Sequence, residues 1–523
     1  MDALAAQKSA QDNQSLIGQF GVGFYSAFMV ADKLEVRSLK AGEKQAYLWV
    51  SDGKGEYSVE QAQKSERGTQ ITLHLKESAL NFLEDYQLES LIKSYSDHVQ
   101  VPILMPENAK DVSEDEQEAA QDQTQWRQVN AASALWARPK SELNEQDYKN
   151  FYSSTSGLYD EPWDWEHFHA EGQLEYSGLL YFPSTKPFNL FEPDRKTQLK
   201  LFVRRVFITD SCQELLPAYL RFMRGVVDSA DLPLNVSREL LQSSPLLDKM
   251  REGITSRVLK NLKKRAKNDA EGYHAFWENF GAVLKEGLYE DAARRADLLE
   301  LLRVKTSTQE GWQSLAQIKE RMQEGQKSLY FITGDDSSAL MHSPHLEGYQ
   351  ARGIEVLLLD DHVDSFWTTM ISDYEGLSFK SVTKGNEELK DVARQDGQDE
   401  SKDEVKEGDF AQLIAQINAQ LVDHIKQARL SDRLTDSPAV LVADENDLDI
   451  NLERILKAAG QSIPSSKRIL EINPKHPLIK KLQVGQENQA DLIELLLDQA
   501  LIIEGEKPRD RMKFAHLLSL NLV

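Results

Sequence analysis

A chain of 523 residues is too long for one hydrophobic core and predicts about three domains. Its 40% hydrophobic and 28% charged residues supply several cores, and no apolar run reaches the roughly 18 residues of a membrane span; Leu492 to Ile503 is interrupted by Glu494 and Asp498. The net charge of −24, from 85 acidic and 61 basic residues without a long basic run, repels nucleic-acid phosphates. Met1 to Gln14 is polar and carries no secretory signal, and the single cysteine, Cys212, excludes an internal disulfide or a multi-thiolate zinc site. The expected compartment is the cytoplasm.

The first block reads as α/β. Leu34 to Ser38 and Ile71 to Leu75 alternate apolar and polar residues, the period of half-buried strands. Ser51 to Gly55 lies between strand-like runs and predicts a hairpin turn. Leu80 to Val99 has helical periodicity, which Pro102 ends. The middle block joins a strand set, Tyr176 to Phe182 and Leu199 to Ile208, to long helices over Leu240 to Arg265 and Tyr273 to Leu284. A second α/β run includes Ser328 to Ile332 and Ile354 to Leu359, and the last block, from near Phe410, ends in apolar helices over Asp491 to Ile503 and Asp510 to Val523. Two charged stretches, Pro106 to Gln125 and Asn386 to Gly408, separate these blocks. Both predict solvated linkers or loops, since neither buries enough apolar surface to offset its ordering entropy. There is no internal repeat.

The most informative run is IGQFGVGFYSAF, Ile17 to Phe28. Gly18, Gly21 and Gly23 leave room for backbone N–H groups to approach phosphate oxygens. A Rossmann fingerprint would need a glycine at Ser26 and a preceding strand, and a P-loop would need Gly-Lys-Ser/Thr. On the glycines alone, a tight loop where helix meets sheet fits as well.

The surrounding residues carry more. Ile17 to Phe28 closely resembles the nucleotide-embracing loop of the ninety-kilodalton heat-shock chaperones in their bacterial form. RGTQITLHLK, Arg67 to Lys76, resembles the strand at the base of that family's adenine pocket, and YSDHVQVPI, Tyr95 to Ile103, the end of the same domain. The resemblance implies an α/β sandwich of the GHKL (Bergerat) type, shared with gyrase, MutL and histidine kinases, and ATP with magnesium as cofactor. It nominates Gly18, Gln19, Phe20, Gly21, Val22, Gly23 and Phe24 as the loop closing over the triphosphate, and Thr69 at the adenine. The family's general-base Glu, magnesium-binding Asn and adenine-reading Asp lie upstream of the loop, where Met1 to Leu16 stand here. Asp52-Gly53-Lys54-Gly55 does not replace the D-x-G-x-G motif, because Lys54 holds a glycine's place. The family function is therefore expected of this chain, but neither ATP binding nor its own ATP turnover, since turnover needs a group to activate water and a metal for the phosphate charge. A partial first block is expected to leave sheet edges and apolar faces uncovered.

LPLNVSRELLQ, Leu232 to Gln242, is the second strong motif. Ser237, in preference to Asn235, is expected to cap a helix, placing Arg238 in its first turn and Gln242 four residues on along one face. An Arg there suits a γ-phosphate, since its planar fork makes two charge-assisted bonds, although spacing alone favours a capped surface helix with a solvated Arg. Tyr219 to Asn235 and Val203 to Asp210 resemble the family's middle domain, and Arg238 and Gln242 match its catalytic pair, with Arg238 acting as an arginine finger toward the nucleotide.

PFNLFEP, Pro187 to Pro193, presents Phe188, Leu190 and Phe191 either to clients or to a core, and Trp163 and Trp165 carry the same two readings. Leu448, Leu452, Ile455 and Leu456 have one-face helical spacing, which fits a core stripe or, as the resemblance implies, an apolar face in a dimer cleft. Glu471 to Leu482 and Leu492 to Ile502 resemble the family's dimerisation domain. There Leu492, Leu495, Leu496, Gln499 and Leu501 with Met512, Phe514, Leu517 and Leu518 are expected to build a two-fold helical bundle. His167 and His169, and His342 and His345, lack a converging third ligand, and Cys212 beside Asp210 and Glu214 is expected to be inert.

The implied layout is a C-terminal part of the nucleotide domain over 1–105, a charged linker over 106–125, an α/β middle domain over 126–385, a charged loop over 386–408 and a mostly helical dimerisation domain over 409–523. The implied function is an ATP-dependent stress-response chaperone that binds unfolded or partly folded clients as a homodimer, with other chaperones as partners and no nucleic acid or membrane. Two other classes stay open: a nucleotide-independent holdase, and a DNA-processing ATPase of the gyrase B or MutL type.

Overall fold

Period-two alternation lays down the first sheet. β1 (Ala31–Leu39), β2 (Ala46–Ser51), β3 (Tyr57–Ala62) and β4 (Gly68–Leu75) are antiparallel in the order β3-β2-β1-β4. The computed structural model describes residues 22–107, 126–172, 174–232, 245–385, 387–395, 407–463, 466–485 and 488–521. The hairpin between β2 and β3 turns where the sequence predicts it, with Gly53 and Gly55 at φ 76° and 105°, a region that glycine enters at no steric cost.

The single helix expected over Leu80 to Val99 is instead a 3-10 turn, Glu77–Leu83, followed by a helix, Asp85–Tyr95. Glu84 between them is extended (φ −80°, ψ 122°). Beyond Tyr95 the helix gives way to tertiary bonds: the Asn130 amide donates to the carbonyls of Ser96, Val99 and Val101 at 3.3, 3.4 and 3.0 Å and accepts from Ile103 N at 2.8 Å. β5 (Leu104–Pro106) then pairs antiparallel with β6 (Trp126–Gln128).

The second sheet holds β7 (Pro162–Ala170), β8 (Tyr176–Pro183), β9 (Gln198–Val203), β10 (Val206–Thr209) and β11 (Arg224–Ser229) in the order β10-β9-β11-β8-β7, with β9 and β11 parallel. The run Leu199 to Ile208, expected as one strand, is thus a hairpin. Arg204 and Arg205 turn it at φ 53° and 65°, and the Asp228 carboxylate accepts from Arg205 N at 3.2 Å. One face packs Leu180, Phe182, Leu199, Leu201 and Val227 against the helices Pro245–Asn268 and Ala270–Glu290. The other packs Leu179, Tyr181, Phe202 and Val226 against Trp136 and the helix Glu145–Ser156. Each fully buried Leu or Phe in these layers contributes roughly 1.5–3 kcal/mol.

The third sheet has β12 (Lys305–Thr306), β13 (Ser328–Thr333), β14 (Val356–Leu359), β15 (Asp373–Tyr374) and β16 (Leu377–Ser381), ordered β12-β14-β13-β16-β15. β13 is parallel to both neighbours, and every residue of β13 and β14 is buried, as expected of the apolar runs Leu329 to Ile332 and Val356 to Leu359. The charged stretch from Asn386 is not wholly solvated: Leu389 and Val392 are buried against Tyr330, Tyr349 and Ile354. The last block contains a sheet that its helical patterning concealed. β17 (Ile425–Leu430), β18 (Ala439–Val442) and β19 (Arg468–Ile472) run in the order β17-β19-β18, under the helices Glu407–Gln420, Pro477–Val484 and Gln489–Ile503.

Candidate functional site

Strand parity gives the first sheet one apolar face. Thr69 lies opposite Ser38, which lies opposite Tyr47; Ile71 lies opposite Val36, which lies opposite Trp49. Thr69 Oγ1 is 2.9 Å from Ser38 Oγ. The short turn Val22–Ser26 brings Phe24 edge-on to Trp49, ring centroids 5.7 Å apart, and Trp49 stacks on Tyr57 at 6.3 Å. Gly23 has open space where a Cβ would stand. Phe24, through Trp49, and Thr69 are therefore associated with the same face of the first sheet. Gly18, Gln19, Phe20 and Gly21 lie outside the described residues, as does the side chain of Val22. Arg238 and Gln242 also lie outside them; the flanking Leu232 and Leu247 are both buried in the core of the second sheet.

The Pro187–Pro193 loop divides its apolar residues. Phe188 is 99% exposed and Leu190 only 4%. Arg221 anchors the loop from below: its Nε donates to Leu190 O at 2.7 Å, its guanidinium lies 5.8 Å from the Phe191 ring centroid, and its two Nη atoms reach Glu286 at 2.7 and 2.8 Å. Trp163 stacks on Phe276 and Trp165 on Tyr148, so both tryptophans serve packing.

The seam between the third sheet and the last block is polar. Asp449, which caps the helix Ile450–Ala458, accepts from Thr333, Ser381 and Thr383 hydroxyls at 3.1, 2.6 and 2.7 Å. Glu347 accepts the N–H groups of Thr435, Asp436 and Ser437 at 2.6, 2.9 and 3.0 Å, and His345 Nε2 lies 2.8 Å from Glu504 Oε1. Asp449 and Glu347 gave no signal in the sequence, and His345 none toward Glu504, because each acts on a partner roughly 70 to 160 positions away. Of the stripe Leu448, Leu452, Ile455 and Leu456, Leu452 is buried at this seam and Leu448, ahead of the helix, is exposed.

In the terminal helices Leu496 and Leu517 are buried, while Ile502, Ile503, Met512, Leu518 and Leu520 are exposed. Arg509 clasps Asp498 through Nε and Nη2 at 2.9 and 3.2 Å, and Lys513 reaches Glu494 at 2.5 Å, fixing the helix Arg511–Asn521 against Gln489–Ile503. His167, a histidine considered as a metal ligand, has both ring nitrogens engaged, with Tyr148 Oη at 2.9 Å and Trp136 O at 3.0 Å. Burial, more than the neighbouring Glu214, pushes the Cys212 thiol up to about 12. Among the described residues, no helix is long and apolar enough to cross a membrane.

The described residues form a mixed α/β chain of several sheets with an anchored apolar loop. The chain belongs to the Hsp90 family: the family model described as Hsp90 protein matches residues 106–522. The Chaperone protein HtpG of Paramagnetospirillum magneticum is 48% identical over 514 residues, covering 97% of this chain and 80% of that protein. The Chaperone protein HtpG of Roseobacter denitrificans is 45% identical over 526 residues, covering 99% and 81%. That of Mesorhizobium japonicum is 48% identical over 519 residues, covering 98% and 80%. The chain is thus a chaperone-family protein along nearly its whole length.

Proposed function

We propose that this chain is a cytoplasmic molecular chaperone that holds unfolded or partly folded proteins as a homodimer, its glycine loop being part of the site that takes ATP with magnesium in the family. The observation that carries the reading is its 45–48% identity, over 97–99% of its length, to proteins named as chaperones. The client role is supported by Phe188, fully exposed on a loop whose neighbour Leu190 is held in the core. The dimer is supported by the exposed Ile502, Ile503, Met512, Leu518 and Leu520 on two adjoining terminal helices, a face of the kind that two-fold bundles bury.

For the nucleotide, the described residues fit the base end with a hydroxyl pair at Thr69 and Ser38 beside an apolar face, and Gly23 in the glycine loop has open space where a Cβ would stand. Arg238 and Gln242 are proposed at the phosphate end, Arg238 supplying a charge-assisted fork to the γ-phosphate. A holdase that works without nucleotide is the second reading, favoured by the exposure of Phe24 and Thr69 on an open sheet face.

The test is suppression of thermal aggregation of citrate synthase by the full chain, with and without Mg-ATP, alongside calorimetric titration of Mg-ATP. Suppression at substoichiometric to equimolar chain is expected, and none would overturn the chaperone reading. One-site heat would assign nucleotide use to this chain; suppression without heat would leave the nucleotide-independent holdase.

A further inference from the structure

The loop between β8 and β9 carries the exposed Phe188, and its two halves are held differently. At the β8 end, Asp160 accepts from Ser184 N and Thr185 N at 2.9 and 3.0 Å, and Asn279 donates to Ser184 O at 3.0 Å. Beyond that point the loop's backbone bonds are its own turns: Leu190 N donates to Pro187 O, Glu192 N to Asn189 O and Arg195 N to Glu192 O. Among the described residues, every hydrogen bond and ion pair that ties Lys186 to Lys196 to the rest of the chain runs through Arg221 or Arg195.

Both guanidiniums meet on one carboxylate. The buried Arg221 donates from Nη1 to Glu286 Oε2 at 2.7 Å and from Nη2 to Oε1 at 2.8 Å, while its Nε holds Leu190 O. Arg195 Nη2 donates to the same Glu286 Oε2, and its Nη1 lies 2.6 Å from Glu290, one turn further along the helix Ala270–Glu290. Arg195 stands at φ 48°, a left-handed conformation that a non-glycine residue seldom keeps without support. The platform beneath the clasp is close-packed: a Cβ at Gly287 would stand 2.8 and 2.9 Å from the side chains of Leu298 and Tyr219, and Lys285 is locked between Asp361 and Asp364.

We propose that Glu286 is a positioning residue for client binding. By clasping Arg221 and Arg195 together it fixes the loop from Leu190 to Arg195, the half that Asp160 does not reach, and so holds Phe188 in one presented position. The proposal rests on the chaperone reading and assigns the control of its Phe188 contact. Only an anion joins two guanidiniums, and the two oxygens of Glu286 accept three charge-assisted bonds from them. A loop already held in one conformation loses little further freedom when an apolar segment of an unfolded protein docks, whereas a loose loop must be ordered at each encounter.

Glu286→Gln strands the buried Arg221 cation, so the test uses two other variants of the full chain. Arg195→Gln cuts one arm of the clasp at a side chain that is 37% exposed. Arg221→Met with Glu286→Leu removes its centre without leaving a lone buried charge. A nitroxide on Glu192→Cys reports loop motion by electron paramagnetic resonance, since Cys212 is buried away from the label. The expected spectrum is broad in the parent, narrowed by either variant, and broad again with Arg195→Lys, which keeps a cation within reach of Glu286. In the citrate synthase assay Arg195→Gln is expected to raise the half-suppressing concentration about threefold, and Arg195→Lys to recover most of that loss. Added to Phe188→Ala, Arg195→Gln is expected to change nothing further, because it acts through Phe188. The same loss in the Phe188→Ala background would overturn the proposal, since Arg195 would then act apart from Phe188. A label left immobile by both variants, in a chain that suppresses aggregation, sinks the positioning role alone. A label freed by them in a chain that suppresses none sinks the chaperone reading and leaves the clasp's hold on the loop standing.

Discussion

Lys285 and Asp364 meet 2.7 Å apart in a place closed to solvent, where the helix Ala270–Glu290 crosses the helix Asp364–Met370. Asp361 adds a second carboxylate 2.7 Å from the ammonium, and Asp364 Oδ1 accepts from Trp367 Nε1 at 2.6 Å. Burial opposes the charge on Lys285, but the two carboxylates overcome it and raise its pKa above the ordinary lysine value. Removing Lys285 strands the Asp364 carboxylate in the interior, whereas removing Asp364 would leave the ammonium paired with Asp361. Lys285→Met is therefore expected to cost about 3–5 kcal/mol, and the double variant Lys285→Met with Asp364→Leu less than that. Urea unfolding compares them; a double variant less stable than Lys285→Met would mean that the desolvation argument is wrong.

Glu471 sets a pH dependence. Burial works against its ionisation, yet Arg433 and Arg429 outweigh burial and hold the carboxyl below its ordinary 4.5. Arg433 Nε reaches Oε2 at 2.8 Å and Arg429 Nη2 reaches Oε1 at 2.7 Å. A carboxylate with a depressed folded pKa contributes stability that is complete above its unfolded value and lost as pH falls through the folded one. Glu471→Gln is expected to lower the melting temperature at neutral pH, with the gap to the parent closing as pH falls below 4.5. A gap independent of pH would show that the charge is irrelevant.

Cys212 is expected to resist alkylation. With its thiol near 12, the thiolate fraction at pH 8 is roughly a thousandfold below that of a free cysteine. Iodoacetamide followed by mass spectrometry should label it only after unfolding; rapid labelling of the native chain would contradict its burial.

Phe188 and Leu190 should separate function from stability. Leu190→Ala, at a 4% exposed site, is expected to cost about 2–5 kcal/mol, and Phe188→Ala to change stability by under about 0.5 kcal/mol. In the citrate synthase assay Phe188→Ala should weaken suppression severalfold with its unfolding curve unmoved. Unchanged suppression would remove this loop from the client surface.

Much of the fold was legible locally. The alternation in Leu34 to Ser38 and Ile71 to Leu75 falls within β1 and β4, the run Ser328 to Ile332 falls within β13, and Ile354 to Leu359 contains β14. The same local rule also fixes which face of β4 carries Thr69, and so the described part of the nucleotide proposal. Legibility failed where a distant partner decides. Nothing near Arg204 marks the turn that splits Leu199 to Ile208; Asp228, from another strand, takes the freed N–H of Arg205. The helix expected to Val99 stops at Tyr95, where Asn130 claims the next carbonyls.

By itself, the sequence determined family membership and strands such as β1, β4, β13 and β14, because motifs and periodicity are written in neighbouring residues. Tertiary structure alone decided that Phe188 faces water while Leu190 faces the core, that Leu389 and Val392 are buried within a charged stretch, and that Lys285 and Asp364 are shut in together. The reason is that burial and pairing are properties of what packs against a residue, and those partners come from elements far away along the chain.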